Sequence, residues 1–260
     1  MESQPAQPRD SVSPKESVPA LEPAAAPRPP RWGLGDFLVG VVGGYALASL
    51  VAALWFAVTG DEELDLVGQA LSQIGLWTGM VGTAFVASRK KGAGRLSEDF
   101  GLRFRWSDLG VGVLVAVAVQ LLLLPGIGFL LRPLLGEPEV SGPVQDLLDR
   151  SQGPAFVGLL LSVCVGAPLV EELFFRGLLL RSLQRRMPDA LAIAVSALAF
   201  GLSHASTLPT DAVILVMISL TVFGAVLALL AVRTGRLGTS IVTHAVFNLF
   251  TLLYLTFAAG

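Results

Sequence analysis

The chain repeats one feature: an apolar run of about twenty residues, long enough to cross a bilayer core of about 30 Å. Seven such runs can be read, at about 35–58, 67–87, 109–131, 154–183, 191–204, 212–232 and 237–257. Inside lipid every backbone N–H and C=O must find its partner within the segment, so runs of this kind form helices. The expected fold is all-α: a polytopic membrane protein of about seven transmembrane helices, with any active site in a polar cavity within the bundle. Composition agrees, since 15% of residues are charged, against about a quarter in a soluble domain. A net charge of −2 argues against nucleic acid as a partner. Cys164 is the single cysteine, which rules out an intrachain disulfide and a cysteine-based zinc site.

Residues 1–30 stand apart. They hold eight of the sixteen prolines, with alanine, serine and scattered charge. Such a segment buries too little apolar surface to offset its ordering entropy, so a disordered cytoplasmic tail is expected there. The transmembrane domain then spans 31–260. Sixteen of the eighteen basic residues fall in the tail or at one end of the expected bundle, and only Arg132 and Arg150 fall at the other. The opposite loops carry Asp61, Glu62, Glu63 and Asp65, then Glu137, Glu139, Asp146 and Asp149. The positive-inside rule therefore predicts a multi-pass cell-membrane protein with its N-terminus in the cytoplasm and, after seven spans, its C-terminus outside. Gly40, Gly43, Gly44 and Ala48 in the first span are small enough for close helix packing.

Against this apolar background a few ionisable groups stand out. The two histidines, His204 and His244, each lie in an apolar helix, and a third such helix carries Glu171, Glu172 and Arg176. Charge at membrane depth costs about 2.5–3.5 kcal/mol per group on insertion scales, so it is rarely there without a partner or a task. Helical rise places Glu171 about 15 Å from Arg181, His204 about 22 Å from Asp189 and His244 about 12 Å from Arg236. All three therefore lie near mid-membrane. The fourth span is too long for a simple crossing, and Pro168 within it removes a hydrogen bond to the Cys164 carbonyl, so a kink is expected just before Glu171.

Adjacent helical positions point about 100° apart, so Glu171 and Glu172 cannot share one direction. Glu172 precedes Arg176 by four residues, the favourable order for an ion pair. That leaves Glu171 as the working group and Glu172–Arg176 as its support. A carboxylate in an apolar cavity is more basic than one in water, which suits general-base duty near neutral pH. His244 and Asn248, also four apart, lie on one helical face and offer two donors to one point, as an oxyanion hole requires.

Glu-Glu-x-x-Phe-Arg-Gly at 171–177, Phe-x-x-x-His at 200–204 and His-x-x-x-Asn at 244–248, on successive helices, resemble the CPBP intramembrane proteases. This family is also known as the CAAX protease or Abi type and includes bacteriocin-processing relatives. The resemblance covers about residues 165–250, within a helical core expected at about 154–257, and no motif position departs from the pattern. It implies an endopeptidase acting on membrane-associated peptides or proteins. By position, Glu171 would activate a water with help from His204, His244 and Asn248 would stabilise the oxyanion, and Glu172 and Arg176 would hold the site in shape.

Other readings remain open. Glu171, His204 and His244 could bind zinc and leave one coordination position for water. Glu172 would then be the one remaining carboxylate base, and it is already assigned to Arg176, so a mechanism without a cofactor fits the residue count better. Buried Glu and His also serve proton-coupled transporters, but no inverted repeat is apparent. The expected partners are the bilayer and a membrane-associated substrate.

Overall fold

The computed structural model describes residues 30–136, 142–205 and 213–258, so all but the last residue of the tail expected at 1–30 lies outside the described residues. Among them every regular element is helical. Helix α1 spans Leu34–Thr59, α2 Leu66–Lys91, α4 Ser107–Leu135, α6 Pro154–Gln184, α8 Val213–Thr234 and α9 Gly238–Ala258. Two short helices, α3 (Leu96–Asp99) and α5 (Gly142–Arg150), lie between them. Helix α7, Asp189–Leu202, has 14 residues. At 1.5 Å per residue it rises only about 21 Å. The seven expected spans are thus six full-length helices and one short one, and His204 falls just past the end of the short one.

The basic loops gather at one end. The Arg31 N–H donates to the Lys91 carbonyl, the Leu237 N–H to Gly101 and the Gly238 N–H to Arg103. The Arg181 guanidinium donates to the Gly235 carbonyl at 3.0 Å. Asp108, fully buried at the start of α4, receives Arg236 at 2.6 Å and the Thr239 hydroxyl at 2.6 Å. Loops far apart in sequence are therefore tied into one basic layer.

Small residues set the spacing of α1 and α2. A Cβ on Gly79 would stand 2.4 Å from the Gly44 backbone, and one on Gly75 would stand 3.2 Å from Ala48. Gly40 faces the ring of Phe174. Gly43, also expected at a packing face, meets nothing within 4 Å. The partner stripe on α2, Gly75-x-x-x-Gly79, is a small-xxx-small pattern of the kind that lets membrane helices approach.

Helix α6 runs through the middle. Its second half, Glu172–Leu180, is buried at every position. This half is π-helical, and so is Ser162–Gly166 earlier in the helix. π-helical turns are rare and frequently occur at functional sites. The π turn also moves the consequence of Pro168. The Ala167 N–H bonds to the Ser162 carbonyl, five residues back. In that register the next bond would run from residue 168 to Val163, and proline has no N–H to make it. The carbonyl released is therefore Val163, one residue earlier than an α-helical count predicts.

Candidate active site

Helices α6, α7 and α9 bring the three motifs together. Oε2 of Glu171 lies 4.0 Å from Nε2 of His204 and 3.8 Å from Nε2 of His244. That oxygen is buried and has no hydrogen-bond partner. Both separations exceed direct hydrogen-bonding distance, but one water bridges gaps of this size.

Glu172 faces the other way. Its Oε1 accepts from Nη1 of Arg176 at 2.9 Å and lies 3.1 Å from Nδ1 of His244. The side chains of Glu172 and Arg176 are wholly buried, whereas Glu171 keeps 17% of its side-chain surface. Adjacent in sequence, the two carboxylates reach opposite nitrogens of one imidazole. Glu172 pairs with Arg176 at the four-residue spacing, and Glu171 faces away from that pair. Nη2 of Arg176 donates to the Gly224 carbonyl of α8 at 3.0 Å, and the guanidinium lies 4.3 Å from the centre of the Phe200 ring. A buried charge stripped of its partner costs several kcal/mol, so this cluster is a rigid support only while complete.

Phe200 is central to the packing. Its ring also meets His204 at 4.9 Å and His244 at 5.8 Å between centroids. Phe223 stands edge-on to His244 at 5.6 Å. These aromatic walls fix both imidazoles. Phe200 belongs to a motif, so its importance had a signal. Phe223 and Gly224 had none, since one contributes a ring edge and the other a backbone carbonyl.

The ring orientations carry chemical information. Nδ1 of His204 lies 2.9 Å from the Phe200 carbonyl, which can only accept, so Nδ1 carries the proton. Nδ1 of His244 likewise donates to the carboxylate of Glu172. Both rings therefore turn Nε2 toward Glu171. In a neutral ring that nitrogen is an acceptor; it donates only when the ring carries both protons.

Asn248 sits one turn beyond His244. Its Nδ2 donates to the Val163 carbonyl at 2.8 Å. This is the carbonyl that Pro168 leaves without a backbone donor, so the Asn248 amide completes the hydrogen bonding of the π turn. The amide has a second N–H. Val163 and Glu171 line the same cavity of about 530 Å³ between α2, α5 and α6, with Gln69, Gln73, Trp77 and Ser162 on its walls. Neither histidine lines it. The α2 residues on its wall come from the first half of that helix, far from Arg89–Lys91, so the cavity approaches Glu171 from the end opposite the basic layer.

For zinc, bonds of about 2.0–2.1 Å would put tetrahedral donors about 3.4 Å apart. The Glu171–His pairs are wider than that. Among the described residues no group of three or more His, Cys, Asp or Glu side chains is arranged to hold a metal ion.

Residues 153–250 match the family model described as Rce1-like, type II CAAX prenyl endopeptidase Rce1-like. The matched stretch runs from the start of α6 into α9 and carries all three motifs, so the resemblance read from them stands. No curated protein and no solved structure matches the chain.

Proposed function

We propose that the chain is an intramembrane endopeptidase that hydrolyses peptide bonds of membrane-associated substrates through a water activated by Glu171. The observation that carries this reading is the buried, unpartnered Oε2 of Glu171 facing Nε2 of both histidines. A water between these groups donates one proton toward Glu171 and the other toward Nε2 of His204, which accepts because its proton is on Nδ1. The water oxygen then attacks the peptide carbonyl carbon while Glu171 takes its proton. The oxyanion lies against the second N–H of Asn248 and Nε2–H of His244. That last role requires His244 doubly protonated, because Nδ1 is committed to Glu172. Glu171 then passes its proton to the leaving nitrogen as the C–N bond breaks. The two histidines thus have different groups behind the ring, a carbonyl for His204 and a carboxylate for His244.

The matched family model names CAAX prenyl endopeptidases, and a prenylated peptide is one member of the substrate class assigned here. The protein lies in the cell membrane with its basic layer toward the cytoplasm, since apart from the buried Arg176 the sequence assigns every basic residue but Arg132 and Arg150 to that side. The cavity beside Glu171 then opens toward the outer leaflet. The test is cleavage of a panel of membrane-anchored peptides, prenylated and not, by protein in liposomes. Fragments formed by wild type and absent with Glu171→Gln support the reading; no cleavage of any member by wild type counts against it.

One observation favours a second reading. With both Nδ1 protons committed, singly protonated His204 and His244 turn lone pairs toward Glu171, the donor set of a His₂Glu zinc site. The wider spacing favours water. A strong chelator is therefore expected to leave the rate unchanged, and loss of activity restored by zinc would establish the metal form.

A further inference from the structure

We infer that the basic layer contains a binding pocket for a phosphate-bearing anion, supplied by the head group of an anionic lipid. A cavity of about 1020 Å³ opens there, and none of the six residues of the active site lines it. Arg31, Lys90, Lys91, Arg181 and Arg185 line it, around Trp32. Glu98 and Asp99 also line it, but both are engaged. Glu98 pairs with Arg95 at 2.8 Å. Asp99 is buried and accepts from Ser88 at 2.6 Å, the Ala93 N–H at 2.9 Å and Trp32 at 3.1 Å. Lys91 pairs with Asp36 at 2.7 Å. Among the described residues no carboxylate forms an ion pair with Arg31, Lys90, Arg181 or Arg185.

Two of these cations are held in place. Arg181 donates to the Gly235 carbonyl at 3.0 Å. Arg185 donates to the Trp32 carbonyl and its guanidinium stacks 3.9 Å above the Trp32 ring. A guanidinium anchored at one edge keeps further N–H groups for a phosphate, in the fork geometry that suits it. Cations that face one concavity without a carboxylate partner among the described residues focus a positive field into it, which suits an anion.

Position identifies the source. Lys91 ends the apolar helix α2, and Gln184, also on the cavity wall, ends α6. The pocket therefore lies in the plane where lipid phosphates sit. Val86, one turn before Lys90 on the same face of α2, is half-exposed and continues that face into the apolar zone, where an acyl chain lies. Basic pockets between membrane helices on this side bind anionic head groups, and a water-borne phosphate gains nothing from the apolar continuation.

The test uses the full chain in neutral detergent, with thermal unfolding and native mass spectrometry as readouts. Phosphatidylglycerol, phosphatidylcholine and inorganic phosphate are added separately. Phosphatidylglycerol is expected to be retained and to raise the melting temperature, and the other two to do neither. Arg31→Gln with Lys90→Gln alters two exposed side chains, so lipid-free stability should hold. Retention should fall about thirtyfold, or about fivefold for each charge removed. Equal effects of phosphatidylglycerol and phosphatidylcholine, or undiminished retention by the double variant, overturn the pocket. Inorganic phosphate acting as strongly as the lipid keeps the phosphate chemistry but overturns the lipid source.

Discussion

Glu171 and Glu172 are neighbours with opposite fates, and the difference is one of partners. Glu172 has Arg176 and Nδ1 of His244 and no exposed surface, while Oε2 of Glu171 has no hydrogen-bond partner. Arg176→Ala strands Glu172 in a buried site, a change that costs about 3–5 kcal/mol. A large drop in melting temperature in detergent should accompany its loss of activity; a normal melting curve would show that the pair does not support the site. Much of this was legible in the sequence, because counting helical rise from the basic ends of three spans put Glu171, His204 and His244 at one depth. The tautomers were not legible. They depend on what stands behind each ring, a backbone carbonyl for His204 and a carboxylate for His244, and neither follows from spacing along one helix.

At the scale of elements, helix α6 departs most from a simple reading. A proline in a helix predicts a lost hydrogen bond, but the π register decides which carbonyl loses it. Asn248 then satisfies Val163 from α9. Asn248→Ala leaves that carbonyl without its donor, at about 1–3 kcal/mol. Pro168→Ala returns a backbone N–H to the same turn. Thermal unfolding of the two single variants and the double variant should show a coupling of about 1 kcal/mol, with Asn248→Ala milder when residue 168 is alanine. Strict additivity would mean that the amide and the proline act on different groups. The contact of α1 with α2 yields a second contrast. Gly79→Ala pushes a methyl into the Gly44 backbone and should cost about 1–3 kcal/mol, whereas Gly43→Ala, with open space around it, should leave the melting temperature unchanged. The sequence pointed to Gly40, Gly43 and Gly44 of α1 without ranking them, since packing depends on which face meets α2.

Across the whole molecule, the segregation of basic residues was readable from composition along the chain, and their loops are hydrogen-bonded to one another in the folded protein. The anchors of that layer were not readable. Asp99 and Asp108 look like ordinary loop acids in sequence, yet both are buried. Burial alone would push the Asp99 carboxyl up, but donation from Ser88, Ala93 and Trp32 outweighs it and holds the group below its ordinary value. A carboxyl depressed by folding stabilises the protein above its unfolded pKa, about 3.9, and that stability is lost as pH falls through the folded value. The wild type should therefore lose stability below about pH 4, and Asp99→Asn, less stable at neutral pH, should show a flatter acid limb. Parallel acid limbs would remove Asp99 from the account. The central claim is that an acid on α6 and two imidazoles, one just past the end of α7 and one on α9, act on one water. Its most direct test is the cleavage rate of Glu171→Gln, His204→Ala and their combination, each shown to be folded by its melting curve. Groups acting as a unit are not additive, so each single variant should lose about 10²–10⁴-fold and the double variant little more. Wild-type cleavage by Glu171→Gln, or losses that multiply in the double variant, would contradict it.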